Sequence, residues 1–372
     1  MYAKNILHLG IKELWALARD PILLLLIAYV FTVDIYSISV GAPDTLHKAP
    51  IAVVDEDQSP LSQRIVNAFQ LPWFLPAKIV SREEMDSRMD AGLDTFALDI
   101  PPRFQEDVLA GRSPVIQLNT DATRVGQAFT GSAYIQTIVA GETQGWLQRY
   151  RSNTTLPVDL EERMRYNPNL ARSWFAAVMA VIDQITTLAV LLVGAALIRE
   201  RERGTVEHLL VMPVTPFEIM TSKIWSMGLV VLIASALSLK FVVQGLLAVP
   251  IEGSIALFLC GAVVHLFATT SLGIFLATFA RTMPQFGMLI LLVLLPLQML
   301  SGGVTPRESM PDFVQQIMLA SPTTHYVMLA KGILFRGARL SDVWQQFVAL
   351  AVIGTVLFSV ALARFRKTIG QM

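Results

Sequence analysis

Charge is scarce in this sequence and cysteine nearly absent. Only 16% of its 372 residues are Asp, Glu, Lys or Arg, against about 25% in a typical soluble domain. Hydrophobic residues make up 53% and mean hydropathy is +0.54, which calls for a surface that meets lipid rather than water. Basic and acidic residues balance at 29 each, so the positive excess of a nucleic-acid binder is missing. The one cysteine, Cys260, excludes an internal disulfide. Set in an apolar run, it reads as a small buried thiol. No GxxxxGK[ST] phosphate loop occurs anywhere, so ATP and magnesium have no binding motif on this chain.

What is present is long apolar runs. A bilayer core of about 30 Å takes roughly 20 apolar residues as helix. Six stretches meet that length: Pro21–Gly41, Trp174–Ile198, Ile224–Leu247, Ser254–Ala280, Pro284–Gly303 and Val343–Ala363. Asp20-Pro21 supplies an N-cap and a first-turn proline for the first. Ser37, Ser39 and Gly41 mimic a signal-peptide cleavage site, but the apolar stretch exceeds an ordinary signal core and reads as a retained span.

Lys and Arg in the short flanks set orientation. Lys4, Lys12 and Arg19 precede span one; Arg199, Arg201, Arg203 and Lys223 separate spans two and three; Arg281 separates four and five; Arg364, Arg366 and Lys367 follow span six. Six spans put all these on one side, with both termini cytoplasmic and residues 42–173 outside. Arg307, Lys331, Arg336 and Arg339, in residues 304–342, weaken the asymmetry there without reversing it.

Residues 42–173 are too polar to span and too patterned for a linker. Ile51–Val54, Ile79-Val80, Phe96–Ile100 and Val115–Leu118 read as strands; segments around Leu61–Phe69, Met85–Met89, Phe104–Ala110 and Ala122–Tyr150 read as helices. The alternation predicts an α/β domain with a small sheet. It carries no nucleophile constellation, HExxH or paired-Cys spacing. Asp55-Glu56-Asp57 fits either a cation site or, more simply, a solvated turn.

The segment Arg199–Lys223 is the most informative. Alternating charge carries span two into water until Gly204 interrupts it. Thr205 can cap a short helix with Glu207 in its first turn. Val206, Leu209 and Leu210 form one apolar face, and Pro213 ends it. Thr215-Pro216-Phe217-Glu218 is then a capping box opening the next helix, with Val214 and Ile219 at hydrophobic-staple spacing. The short helix either docks on a partner or lies on the membrane interface.

This segment, Arg201-Glu202-Arg203-Gly204-Thr205-Val206-Glu207-His208-Leu209-Leu210 with Pro213, resembles the signature of ABC-2 type permeases. Ser301-Gly302-Gly303, Pro306 and Met310-Pro311 resemble that family's outer re-entrant motif. The amphipathic stretch before residue 20, with Ile6, Leu9, Leu14 and Leu17, is similar to its elbow helix. The resemblance covers essentially the whole chain. It implies a six-helix ABC-2 type transmembrane domain with a large α/β periplasmic domain between helices 1 and 2. Arg201, Glu202, Gly204, Thr205, Val206, Glu207, Leu209, Leu210 and Pro213 would then couple to a separate ABC ATPase that binds ATP and Mg. A second permease, identical or paralogous, and in Gram-negative hosts a periplasmic membrane-fusion protein and outer-membrane channel, complete the expected partners, with no nucleic acid.

Charges at membrane depth cost about 2.5–3.5 kcal/mol on insertion scales and need reasons. Asp183 and Gln184 in span two serve substrate or proton passage, or a structural hydrogen bond. Lys240 sits where it can snorkel outward, although a pair with Asp183 is conceivable. His265 reads as a helix–helix hydrogen bonder before it reads as a ligand. Asp34 lies nearer the outside, where water reaches it. Pro296 and Gln298 mark a kink with a polar neighbour. Export of a substrate, mechanical transmission to a periplasmic partner without transport, and a receptor or anchored enzyme with no ATPase are the competing functions.

Overall fold

The computed structural model describes residues 2–41, 46, 48–121, 125–150, 172–202, 214–305 and 307–369. The short helix expected at 205–213, Gly204 and Pro306 lie outside them. The chain divides into two compact units, Pro43–Ala171 and a second made of Met1–Ala42 with Arg172–Met372.

The α/β unit is built on four strands: β1 Ile51–Asp55, β2 Lys78–Ile79, β3 Phe96–Ile100 and β4 Gln117–Thr120. The sheet order is β2-β1-β3-β4, parallel except for the β3–β4 pair. The last strand begins two residues later than the hydropathy pattern predicts, because Leu98 pairs with Leu118 and Phe96 with Thr120. Alternate residues bury opposite faces. Ile51, Val53, Phe96, Leu98 and Ile100 join one core with Leu61, Ile65, Phe104 and Trp146; Ala52, Val54 and Ala97 join another with Val80 and Met85. Both faces are therefore covered, as a largely parallel sheet requires. Three short helices, α3 Pro60–Ala68, α4 Arg82–Asp90 and α5 Phe104–Leu109, and the long α6 Val125–Tyr150 supply the cover. Asp55 is spent on local structure: its carboxylate accepts from the Asp57 and Gln58 amides and the Ser62 hydroxyl.

The helical unit begins with α1, Tyr2–Ala18, followed by α2, Pro21–Gly41. Asp20 caps α2 by accepting from Leu23 N, with Pro21 in the first turn. Val30–Asp34 forms a π-helical turn in α2. Next come α7 Arg172–Glu202, α8 Pro216–Leu246 with a π-helical last stretch, α9 Ile255–Ala277 and α10 Met283–Met299. The short α11 Asp312–Met318, α12 Pro322–Arg336 and the long α13 Leu340–Ile369 complete it. Among the described residues, α2, α7, α8, α9 and α13 are long and apolar enough to cross a membrane. The stretch expected as a further span, Pro284–Gly303, forms only the 17-residue α10, about 25 Å long. Its helix stops after Pro296 and Gln298, and Gly302 at φ 91° turns the chain back.

α7 is the hub, packed against α2, α8, α9 and α10. Gly273 of α9 lies against the Val190 backbone, where a Cβ would meet main chain, the close approach that small residues permit between membrane helices. Cys260 is exposed on α9, which corrects the expected buried thiol: an apolar run supplies a lipid-facing surface as readily as an inner one.

Candidate functional site

The loop between α7 and α8 begins and ends at one dense set of ion pairs. Lys223, on the first turns of α8, is 2% exposed. Its ammonium lies 2.9 Å from Glu13 Oε1 of α1 and 2.8 Å from Glu200 Oε2 of α7. Two carboxylates thus share one buried cation, and burial pushes the Glu13 carboxyl up from its ordinary value while Lys223 pulls it down. Lys12 reaches Glu200 at 3.5 Å from α1. One residue earlier on α7, Arg199 donates to Asp20 at 2.8 Å, so Asp20 caps α2 and ties it to α7.

The capping box expected at Thr215 forms. Thr215 Oγ1 accepts from Glu218 N, and Glu218 Oε2 accepts from Thr215 N. The other Glu218 oxygen accepts from Asn5 of α1 at 3.0 Å. Trp225 donates to the Ile6 carbonyl, and its indole covers Gly10, where a Cβ would overlap the ring. α1 is thereby fixed along the start of α8.

Arg201 and Glu202 also turn inward. Arg201 donates to the carbonyl of Ala280 at 2.7 Å, just past the C-terminal end of α9, and Glu202 accepts from Met283 N at the start of α10. Arg364 of α13 donates to Thr278 Oγ1 and lies 3.5 Å from the Phe279 ring centroid. The basic flanks of α1, α7, α8 and α13 and the α9–α10 turn meet at one end of the unit. Lysines and arginines counted one by one did not show that they are paired. The signal was in the acidic residues among them, Glu13, Asp20 and Glu200.

The family model for ABC-2 family transporter proteins matches residues 21–363. The chain belongs to the ABC-2 transporter family. The inner membrane transport permease YhhJ of Escherichia coli (strain K12) is 61% identical over 371 residues, covering 100% of this chain and 99% of that protein. The probable multidrug ABC transporter permeases YbhR and YbhS of the same organism are 28% and 24% identical, over 96% and 97% of this chain and 97% and 94% of theirs. Family membership makes this an inner-membrane transport permease homologue and implies an ABC ATPase partner and dimerisation.

Within the ABC-2 permease the intramembrane polar residues fall into two groups. His265 is fully buried, 2.9 Å from Thr186 Oγ1 of α7, and stacks on Tyr326 of α12 with ring centroids 4.2 Å apart. It links three helices. Gln184 donates to Asp34 at 2.6 Å, so the half-exposed Asp34 also makes a contact between α2 and α7. It lies in the π-helical turn, where the Phe31 carbonyl accepts from Ser238 of α8. Gln298 donates to Thr187 Oγ1 and to the Asp183 carbonyl. Among the described residues the Asp183 carboxylate has no hydrogen bond, and Lys240 is exposed with no ion pair to it.

The motif after α10 folds tightly. Ser301 is 1% exposed, donates to the Gln298 carbonyl and accepts from Gly303 N. Met310 is buried, Pro311 precedes α11, and Lys331 of α12 donates to the Gly302 carbonyl.

Proposed function

We propose that the permease is the transmembrane subunit of an ATP-driven exporter of the bacterial inner membrane. A separate ATPase subunit binds ATP and Mg and acts on residues 204–213, including Thr205, Val206, Glu207, Leu209 and Leu210. Two permeases, identical or paralogous, enclose the path. In this reading α10 is the sixth membrane crossing, both termini are cytoplasmic, and the α/β unit is periplasmic, docking a membrane-fusion protein that leads to an outer-membrane channel. The names of YbhR and YbhS favour drug-like or amphipathic cargo.

The observation that carries this reading is the bridge from Glu200 through Lys223 to Glu13. It closes the loop at its base and adds α1. A force on residues 204–213 then moves the ends of α1, α7 and α8 together and tilts two long helices, which is how a rigid-body switch between inward and outward states begins. The test is a pull-down of detergent-solubilised permease with the native loop and with Glu207→Lys plus Leu210→Asp. The native form brings down an ATPase and the variant does not. No ATPase with either form rejects the exporter reading, and equal capture rejects the role of the loop.

Mechanical transmission to a periplasmic partner without transport is the second reading. It is favoured by His265 and Thr186 lying buried and hydrogen-bonded to each other inside one subunit, away from any path. ATPase activity of the purified complex separates the two: amphipathic compounds stimulate an exporter, whereas a transmission device responds only to its periplasmic partner.

A further inference from the structure

A cavity of roughly 810 Å³ lies among the start of α7, the turn after α10, α12 and the start of α13. Its volume falls in the range of about 300–1,000 Å³ usual for sites of small organic ligands. Three cations line it, Arg307, Lys331 and Arg336, and none forms an ion pair among the described residues. The carboxylates on its wall do little to balance them. Asp342 accepts from the Arg339 amide and the Ser341 hydroxyl at the head of α13, and Glu308 is exposed at the rim.

The cations are positioned rather than loose. Lys331 donates to the Gly302 carbonyl with its ammonium 4.8 Å from the Phe175 ring centroid. Arg307 spends one terminal nitrogen on Met328 Sδ, while its Nε is sealed from solvent with no acceptor. That nitrogen is closed to the cavity, but the guanidinium charge has no carboxylate beside it among the described residues, and a half-buried cation without a partner is costly. The rest of the wall is mixed, with Phe175 and Val304 beside the polar Ser301, Gln315 and Gln346. Val304 stands at the rim 69% exposed, and Leu340 and Trp344 of α13 are exposed close by in sequence to Val343. A small free anion would satisfy the cations and leave Phe175 and the exposed rim residue Val304 without an apolar partner in the cavity.

We propose that this cavity binds an anionic amphipath, its phosphate or carboxylate held by Arg307, Lys331 and Arg336 and its apolar body against Phe175 and Val304 at the rim. The charged group comes from an acidic lipid or from a soluble phosphate compound, and the experiment separates these sources. Full-length permease in neutral detergent is titrated with phosphatidylglycerol, with phosphatidylcholine and with inorganic phosphate, and binding is read by native mass spectrometry and thermal shift.

Phosphatidylglycerol is expected to bind and raise the melting temperature, and phosphatidylcholine is not. Lys331→Gln with Arg336→Gln weakens binding about tenfold or more, whereas Lys78→Gln in the α/β unit leaves it unchanged. Gln346→Glu keeps the side-chain size, places a carboxylate on the cavity wall and weakens binding even if the double variant proves unstable. Equal binding of the two lipids, or full affinity in Gln346→Glu, overturns the proposal. Saturation by inorganic phosphate with no further gain from phosphatidylglycerol overturns the amphipath and leaves a site for a free anion.

Discussion

Lys223 Nζ stands 2.8 Å from Glu200 Oε2, joining the two helices that the loop 203–213 connects, and it does so at 2% exposure. A buried ion pair is weak evidence for stability in itself, but breaking one is costly, because the survivor keeps a charge without a partner.

Lys223→Met leaves Glu13 and Glu200 facing each other with only the exposed Lys12 beside Glu200. It should destabilise the permease by about 3–5 kcal/mol. The loss should grow from mildly acidic to mildly alkaline pH, as both carboxylates are forced to ionise. Thermal unfolding in detergent at two pH values measures it, and a loss that shrinks with rising pH contradicts the arrangement.

Glu13→Gln should be milder, since it leaves one cation with one carboxylate. Burial raises the folded-state value of Glu13 above its unfolded value. The folded chain therefore holds that proton more tightly, and the group costs stability as pH rises from the ordinary carboxylate range through the raised value. The variant should lose this part of the pH dependence, so its melting temperature falls less steeply over that window than the parent's.

Gly10→Leu should detach α1 from α8. A Cβ alone would overlap the Trp225 ring, and that ring is held by its hydrogen bond to the Ile6 carbonyl. A destabilisation of about 1–3 kcal/mol is expected for overpacking at such a contact, with a red shift of tryptophan emission as the indole meets water.

Thr186→Val and His265→Phe should be coupled. Each single change breaks the 2.9 Å bond between α7 and α9, and interhelical hydrogen bonds of this kind are worth about 0.6–2 kcal/mol in membranes. A double-mutant cycle on thermal stability reads that coupling. Additive effects would mean the two side chains act separately.

Thr215→Ala removes one bond of the capping box and should cost about 1 kcal/mol. Because Glu218 also accepts from Asn5, the variant should loosen α1 as well. Faster hydrogen exchange at the starts of both α1 and α8 is the expected signature; faster exchange confined to α8 would show the two contacts to be independent.

Features set by neighbours in sequence were legible without coordinates. Asp20-Pro21 and Thr215-Pro216-Phe217-Glu218 announced their helix starts, and β3 at Phe96–Ile100 followed from its side-chain pattern. Other features depend on contacts far apart in the chain. Hydropathy ran the fifth apolar stretch to Gly303, but Leu300–Gly303 turn back because Ser301 bonds Gln298 and Gly303 locally and Lys331 donates to Gly302 from α12. The bond from Gln184 to Asp34 joins residues 150 positions apart, and no local pattern announces it. Arg201 and Glu202 stand in a motif expected to couple to a partner, and their bonds to Ala280 and Met283 appear only in the tertiary structure.

By itself the sequence determined that the chain lives in lipid, where its long helices run, which helix starts are capped, and that ATP has no phosphate loop here. These follow from composition, periodicity and short-range hydrogen-bonding rules. Only the tertiary structure decided which charges neutralise one another. Lys223 is an ordinary basic flank in the sequence. It becomes the joint between α1, α7 and α8 because packing removes it from water and leaves Glu13 and Glu200 as the groups that can hold its charge.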